Sequence, residues 1–135
     1  MNKPFSWEVR VYYEDTDLGG VVFYANYLKY LERARTEYLR SIGYEQDELM
    51  AHDEIIFAVR SLQIEYLKPA CFNQLLQVSA DIKKSKKASL EFAQQITHDD
   101  QLLVTANVRI ACLDVNTMKP KAIPEKLLEH FTKSK

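Results

Sequence analysis

Glycine is scarce in this sequence. Three residues in 135 are glycine, and two of them stand side by side at Gly19 and Gly20. No Walker or Rossmann phosphate loop can be drawn from them, because both need several glycines at fixed offsets. Cysteine is as sparse: Cys71 and Cys112 lie far apart and outside any C-x-x-C pattern, which predicts two buried small apolar residues in a reducing compartment. The three histidines, His52, His98 and His130, show no ligand spacing, so neither a metal nor a cofactor is expected. Charge of one sign is lacking too. Eighteen Lys and Arg against nineteen Asp and Glu leave a net charge of −1, too little to pull the chain toward nucleic acid or an anionic membrane. No apolar run approaches the length of a membrane span. The first residues, Met-Asn-Lys-Pro-Phe-Ser-Trp, lack the apolar centre of a signal peptide. A cytoplasmic protein is the expectation.

What is present is a globular balance, 47% hydrophobic and 27% charged over 135 residues. That length suits one domain with a real core, so 1–135 is read as a single domain. No repeat, low-complexity segment or linker interrupts it.

Residues 24–42 carry a helical period. At ~100° per residue, Tyr24, Tyr27, Leu28, Leu31, Ala34, Tyr38, Leu39 and Ile42 share one broad face. Gly43 follows and suits a left-handed C-cap. Arg35 points into the apolar sector; its stem is expected along the core, with its head paired to Glu32 one turn earlier. A short second helix is expected over 45–51. Beyond it the period changes to two. Strands are predicted over 55–66, 74–82, 88–97 and 102–114, each with one buried face. Turns at Lys83–Lys87 and His98–Gln101 make antiparallel hairpins. Within 55–66 the apolar phase switches from Phe57 and Val59 to Leu62, Ile64 and Tyr66, which places a β-bulge near Arg60–Ser61. Pro124 opens a short C-terminal helix. With a first strand around Val9–Tyr13, the order is β-α-β-β-β-β. This is an α+β fold with one long helix against an antiparallel sheet that curls around it.

The chemistry concentrates in Tyr12-Tyr-Glu-Asp-Thr-Asp-Leu-Gly-Gly-Val-Val-Phe-Tyr-Ala-Asn-Tyr27. Three carboxylates and the Gly-Gly pair precede the helix, whose N-terminus offers unpaired N–H groups to a developing oxyanion. An ordinary capping loop would use similar residues.

That segment and the element order, together with Glu32-Arg-Ala-Arg-Thr-Glu37, Phe57-Ala-Val-Arg60, Glu65-Tyr66, Pro69-Ala70 and Met118-Lys-Pro120, resemble a known family. It is the hotdog-fold acyl-CoA thioesterases of the 4-hydroxybenzoyl-CoA thioesterase type, and the resemblance is strongest to the branch associated with the bacterial Tol–Pal envelope genes. The resemblance implies a five-stranded antiparallel sheet wrapped around the helix. It also implies homodimers with a continuous sheet or homotetramers, and active sites between subunits. It makes Asp17 the catalytic carboxylate and the Tyr24 N–H an oxyanion donor. Many relatives in that branch have His where this chain has Tyr24, so no side chain titrating near neutrality is expected there.

On this reading the chain hydrolyses an acyl-CoA. Asp17 acts as nucleophile or as general base toward water, and Gly19 and Gly20 let the backbone approach the thioester. Glu14 and Asp15 are expected in solvated or capping roles. Glu32 is the alternative carboxylate, since a related class uses one on the central helix. Lys86 and Lys87, with Ser89, are candidate contacts for the phosphates of coenzyme A. Competing readings are a hydratase or dehydratase, which needs a His that 12–27 lacks, and a non-catalytic acyl-carrier or acyl-CoA binding or scaffold protein of the cell envelope. Tyr24, Tyr27, Phe23 and Phe57 are candidates to line an acyl pocket. Short-chain, aromatic and acyl-carrier-protein thioesters all remain candidate substrates.

Overall fold

A computed structural model describes residues 5–133; Met1–Pro4, the start of the segment read as lacking a signal peptide, lie outside the described residues. Five strands form one antiparallel sheet: β1 (Phe5–Arg10), β2 (Ile55–Tyr66), β3 (Leu75–Lys86), β4 (Ser89–His98) and β5 (Gln101–Asp114). Their order is β1-β3-β4-β5-β2, so β1 and β2 are the two edges. The helix α1 (Asn26–Ser41) connects those edges and crosses the inner face of the sheet. A short helical stretch follows it, with α2 (Gln46–Glu48) running on through Leu49–Asp53, and α3 (Glu125–Lys133) closes the described chain. This is the five-stranded hotdog arrangement.

The alternation in the strands decides what is buried. Leu76, Val78, Ala80 and Ile82 of β3, and Val104, Ala106, Val108, Ile110 and Cys112 of β5, all face the core. Opposite them α1 presents Tyr27, Tyr30, Leu31, Ala34, Tyr38 and Leu39. The buried face of the helix is rotated from the expected one. Tyr30 is fully covered, whereas Leu28 is 41% exposed. Leu127 and Phe131 of α3 plug the end of the core.

Several sequence expectations are corrected. α1 begins at Asn26 rather than Tyr24, because the chain enters through a tight turn in which Tyr27 N–H reaches the Tyr24 carbonyl and Leu28 N–H that of Ala25. The first strand spans Phe5–Arg10, and Tyr13–Asp15 form a 3-10 turn. Lys83–Lys86 are not a turn. They extend β3 past an irregularity between Ile82 and Lys84, and Lys87 and Ala88 make the turn. The head of Arg35 bonds the neutral side chain of Gln94 at 3.0 Å instead of the Glu32 carboxylate.

Other expectations hold. The register of β2 against β5 shifts between Val59 and Ser61, which leaves Arg60 as the bulged residue. Gly43 has φ +93°, the left-handed cap. The β4–β5 hairpin turns on Asp99 and Asp100, both with positive φ, as a two-residue turn compatible with strand twist requires.

Candidate active site

The loop that carries the acidic motif is built from its own backbone bonds. Asp17 N–H donates to the Val21 carbonyl at 3.0 Å, and Thr16 pairs with Val22. Asp17–Gly20 is therefore the tip of a miniature hairpin. Gly20 sits at φ +78°, a conformation that disfavours any side chain. At Gly19 an added Cβ would stand 3.4 Å from Asp17 Oδ1, ordinary packing, so Gly20 has the stronger need to be glycine. The returning arm is clamped to the chain after β2: Val22 N–H reaches the Ala70 carbonyl at 2.8 Å, and Phe72 N–H that of Gly20 at 3.1 Å.

The same bonds bring the loop to the start of α1. The Asp15 carbonyl accepts Phe23 N–H at 3.0 Å and the Asn26 side-chain amide at 2.8 Å. Asp15 also caps its own turn, its carboxylate accepting Tyr12 N–H at 2.9 Å. That occupies one of the competing carboxylates structurally. Glu14 is exposed. Asp17 is exposed as well; its Oδ1 accepts Gly19 N–H at 2.9 Å, which fixes the rotamer and leaves Oδ2 open. A few residues on, the N–H groups of Tyr24 and Ala25 have no acceptor among the described residues. Such groups at a helix start carry the positive end of its dipole.

Aromatic rings wall this corner. Tyr24 packs edge-on to Tyr66 at the end of β2, and Tyr66 Oη donates to the Tyr24 carbonyl at 3.3 Å. Tyr27 lies under both; its hydroxyl accepts Ala70 N–H at 2.9 Å, so it belongs to the core rather than to an acyl pocket. Burial pushes the Tyr27 and Tyr66 phenols up from their usual values. Phe23 and Tyr24 remain 46% and 64% exposed.

The structure thus gathers Asp17, Gly19, Gly20 and Tyr24 in one corner. It places the other candidates elsewhere. Lys86 and Ser89 line a separate cleft with Arg60, Lys84 and Arg109. Lys87 is not among the residues around it; its carbonyl accepts Ile123 N–H at 2.8 Å in the turn. Arg60, Lys84 and Arg109 escaped the sequence reading. Pairing of Lys84 with Glu91 and of Glu91 with Arg109 sets those two cations in one row across three strands, and Arg60 stands at the bulge beside Ser61, the partner of Arg109; only the register reveals it. Glu32 is exposed on α1 beside a third feature, a cavity under the helix that Phe57 also lines. No group of three or more His, Cys, Asp or Glu side chains is placed to hold a metal among the described residues.

A sheet curled over one helix, with a carboxylate loop held at the helix N-terminus, defines the thioesterase class of hotdog proteins. Comparison with known proteins agrees. Residues 11–131 match the model of the Thioesterase-like superfamily, and the chain belongs to that family; it is a thioester hydrolase. It is 41% identical over 131 residues to the acyl-CoA thioesterase YbgC of Haemophilus influenzae, covering 97% of this chain and 96% of that one. With the acyl-CoA thioester hydrolase YbgC of Escherichia coli O157:H7 it shares 43% identity over 94% of this chain and 95% of the other. A solved structure of a probable thioesterase from Bartonella henselae superposes with a TM-score of 0.86 at 35% identity, over 90% of this chain and all of that one. Among the described residues no helix is long and apolar enough to cross a membrane.

Proposed function

We propose that this chain, acting as one hotdog domain over 1–135, hydrolyses the thioester of an acyl-CoA to a free acid and coenzyme A. The observation that carries the reading is the pairing of an open Asp17 Oδ2 with unclaimed Tyr24 and Ala25 N–H groups at one helix start. The thioester oxygen lies on those N–H groups, where a donor stabilises the transition state by on the order of 3 kcal/mol. Asp17 either attacks the carbonyl, giving an anhydride that water cleaves, or takes a proton from the attacking water. Both routes expel the thiolate of coenzyme A and end in the same acid. The Tyr24 side chain contributes its ring to the wall and no proton.

Lys86 and Ser89 receive the phosphates of coenzyme A, joined by Arg60, Lys84 and Arg109 in the same cleft. Along β2, Arg60 stands roughly 20 Å from Tyr66, a span that an extended pantetheine arm covers. The working unit is a homodimer paired through the β2 edges, which leaves higher assembly to a second surface. Support comes from that edge itself: Val59, Leu62 and Tyr66 are 53%, 37% and 45% exposed, too much apolar surface for a bare strand edge. A cytoplasmic location and kinship with the Tol–Pal-associated branch belong to the same reading, and rest on composition and motif resemblance.

Thiol release from a panel of acyl-CoA and acyl-carrier-protein thioesters, wild type beside Asp17→Asn, tests it. The expected loss is about 10²–10⁴-fold in kcat with the melting temperature unchanged. Undiminished hydrolysis would transfer the chemistry to Glu32. Wild type inert toward the whole panel would overturn the catalytic reading.

A further inference from the structure

Helix α1 buries a charge that the chain leaves largely unanswered. Arg35 is 9% exposed, and it lines a cavity of about 140 Å³ between α1 and strands β2, β4 and β5. A guanidinium carries five N–H donors and does not lose its proton in proteins. Among the described residues it makes one side-chain hydrogen bond, from Nη1 to Gln94 Oε1, and no ion pair within 4.0 Å. Gln94 is neutral, and its own amide N–H groups are spent on the carbonyls of Leu31 and Ser79. Glu32, exposed to solvent, lines the same cavity without forming an ion pair with Arg35 within 4.0 Å. Burial lowers the affinity of Arg35 for its proton, and Glu32 partly restores it. An unpaired buried cation is strongly disfavoured unless an anion meets it. Here it borders a space into which one can come.

The walls say what sort of anion. Six of its ten lining residues are apolar, Phe57, Val59, Phe92 and Ile110 among them, while Glu32, Thr36 and Gln46 stand with Arg35 on the polar side. The volume is close to that of a cavity of roughly 150 Å³ that holds benzene. A bare inorganic anion would leave those walls uncovered, and a long acyl chain would not fit. We propose that this cavity binds a small organic carboxylate, benzoate- or butyrate-sized, with its two oxygens on Arg35 and its apolar body between Phe57, Phe92 and Ile110. The pairing is the bidentate one that guanidinium and carboxylate geometries favour. Arg35 follows Asn26 by nine residues, roughly 14 Å along the helix, so within one chain the ligand sits clear of the Asp17 corner. The proposal rests on the hydrolase reading at one point: the acid released by hydrolysis is one source of such a ligand, and a free acid from elsewhere is the other.

The test is a titration of benzoate, butyrate and neutral benzamide, followed by ligand NMR and by the shift in melting temperature. The proteins are wild type, Asp17→Asn, Arg35→Met and Glu32→Gln. Saturable binding of the carboxylates is expected, at least tenfold weaker for benzamide and for Arg35→Met, which keeps an unbranched apolar stem. Glu32→Gln is expected to tighten benzoate by removing a competing carboxylate, and its exposed position keeps it informative should Arg35→Met fail to fold. Asp17→Asn is expected to bind benzoate like wild type, and so separates this site from hydrolysis even if Asp17 proves not to be catalytic. Adding the acid product of the best substrate identifies the source: tighter binding than benzoate assigns the ligand to the reaction, weaker binding to an outside acid. Equal binding of benzamide and benzoate, undiminished binding by Arg35→Met, or no tightening by Glu32→Gln would overturn the proposal.

Discussion

Strands β2 and β5 lie side by side and carry apolar patterns of similar strength, yet only one finds cover within the chain. In β5, Val104, Val108 and Cys112 are fully buried. In β2 the only buried residue is Ile55, while Val59 and Leu62 stand open to solvent. The two strands share eleven register pairs, broken once at the bulge. Position in the sheet makes the difference. β5 lies between β4 and β2, whereas β2 has a neighbour on one side only. An apolar pattern therefore says which residues seek burial, and not whether the same chain provides it. The Asp17 corner shares this unfinished edge, because Tyr66 at the end of β2 is its wall.

Breaking the edge gives the largest expected effect. Leu62→Lys places a charge on the open edge, a device that natural sheets use to block pairing. Within a single chain it costs little, because the side chain is already 37% exposed. The expected outcome is a monomer by light scattering with hydrolysis down by at least ~100-fold, the scale of losing orientation at a reacting centre. Dimers that persist with full activity would place the working interface elsewhere.

The comparison sharpens when a closed and an open strand position are each cut back to alanine. Phe92 on β4 is 2% exposed and packs against Tyr38. Phe92→Ala is expected to destabilise by about 3–5 kcal/mol, as large-to-small changes in closed cores do. Val59→Ala on the free edge is expected to cost under ~0.5 kcal/mol when measured in monomeric Leu62→Lys, and clearly more in the dimer. Urea unfolding of these variants beside wild type and Leu62→Lys reads this directly. Equal costs in monomer and dimer would mean that no partner covers Val59.

What was legible in the sequence follows the same division. Local signals were sufficient where local chemistry decides: the long helix, the phase switch at Arg60, the Gly43 cap and the acidic loop. Legibility failed where a distant partner decides. Lys83–Lys86 have the composition of a turn, but pairing with Ser89–Glu91 holds them in β3. Gln94 occupies an inward position of β4, and its polarity hid it; its three hydrogen bonds explain why the core accepts it. Tyr24 fits the helical period but stops outside the helix, because the Asp15 carbonyl takes both Phe23 N–H and the Asn26 side chain and bends the chain there. The cationic cleft needs residues as far apart as Arg60 and Arg109. No motif spans them.

The smallest expected effect separates the two regions by pH. Cys112 lies in the closed part of the core, and burial pushes its thiol up to about 11 from 9.0. Tyr30, fully buried on α1, has its phenol raised as well, by burial first and by the nearby Asp15 carboxylate second. For both groups the folded value exceeds the unfolded one. The unfolded chain therefore loses these protons first, and rising pH favours unfolding. The Cys112 contribution is whole below about pH 9 and lost progressively toward pH 11, and that of Tyr30 begins to be lost only above 10.0, the ordinary value of a tyrosine. Melting temperatures are expected to hold up to about pH 9 and fall by several degrees above it, with Cys112→Ala flattening part of the slope. The β2 edge carries no cysteine, since Cys71 lies in the loop beside Val21. Loss of oligomer before loss of fold on raising the pH would show that the edge, and not the core, is the alkaline weak point.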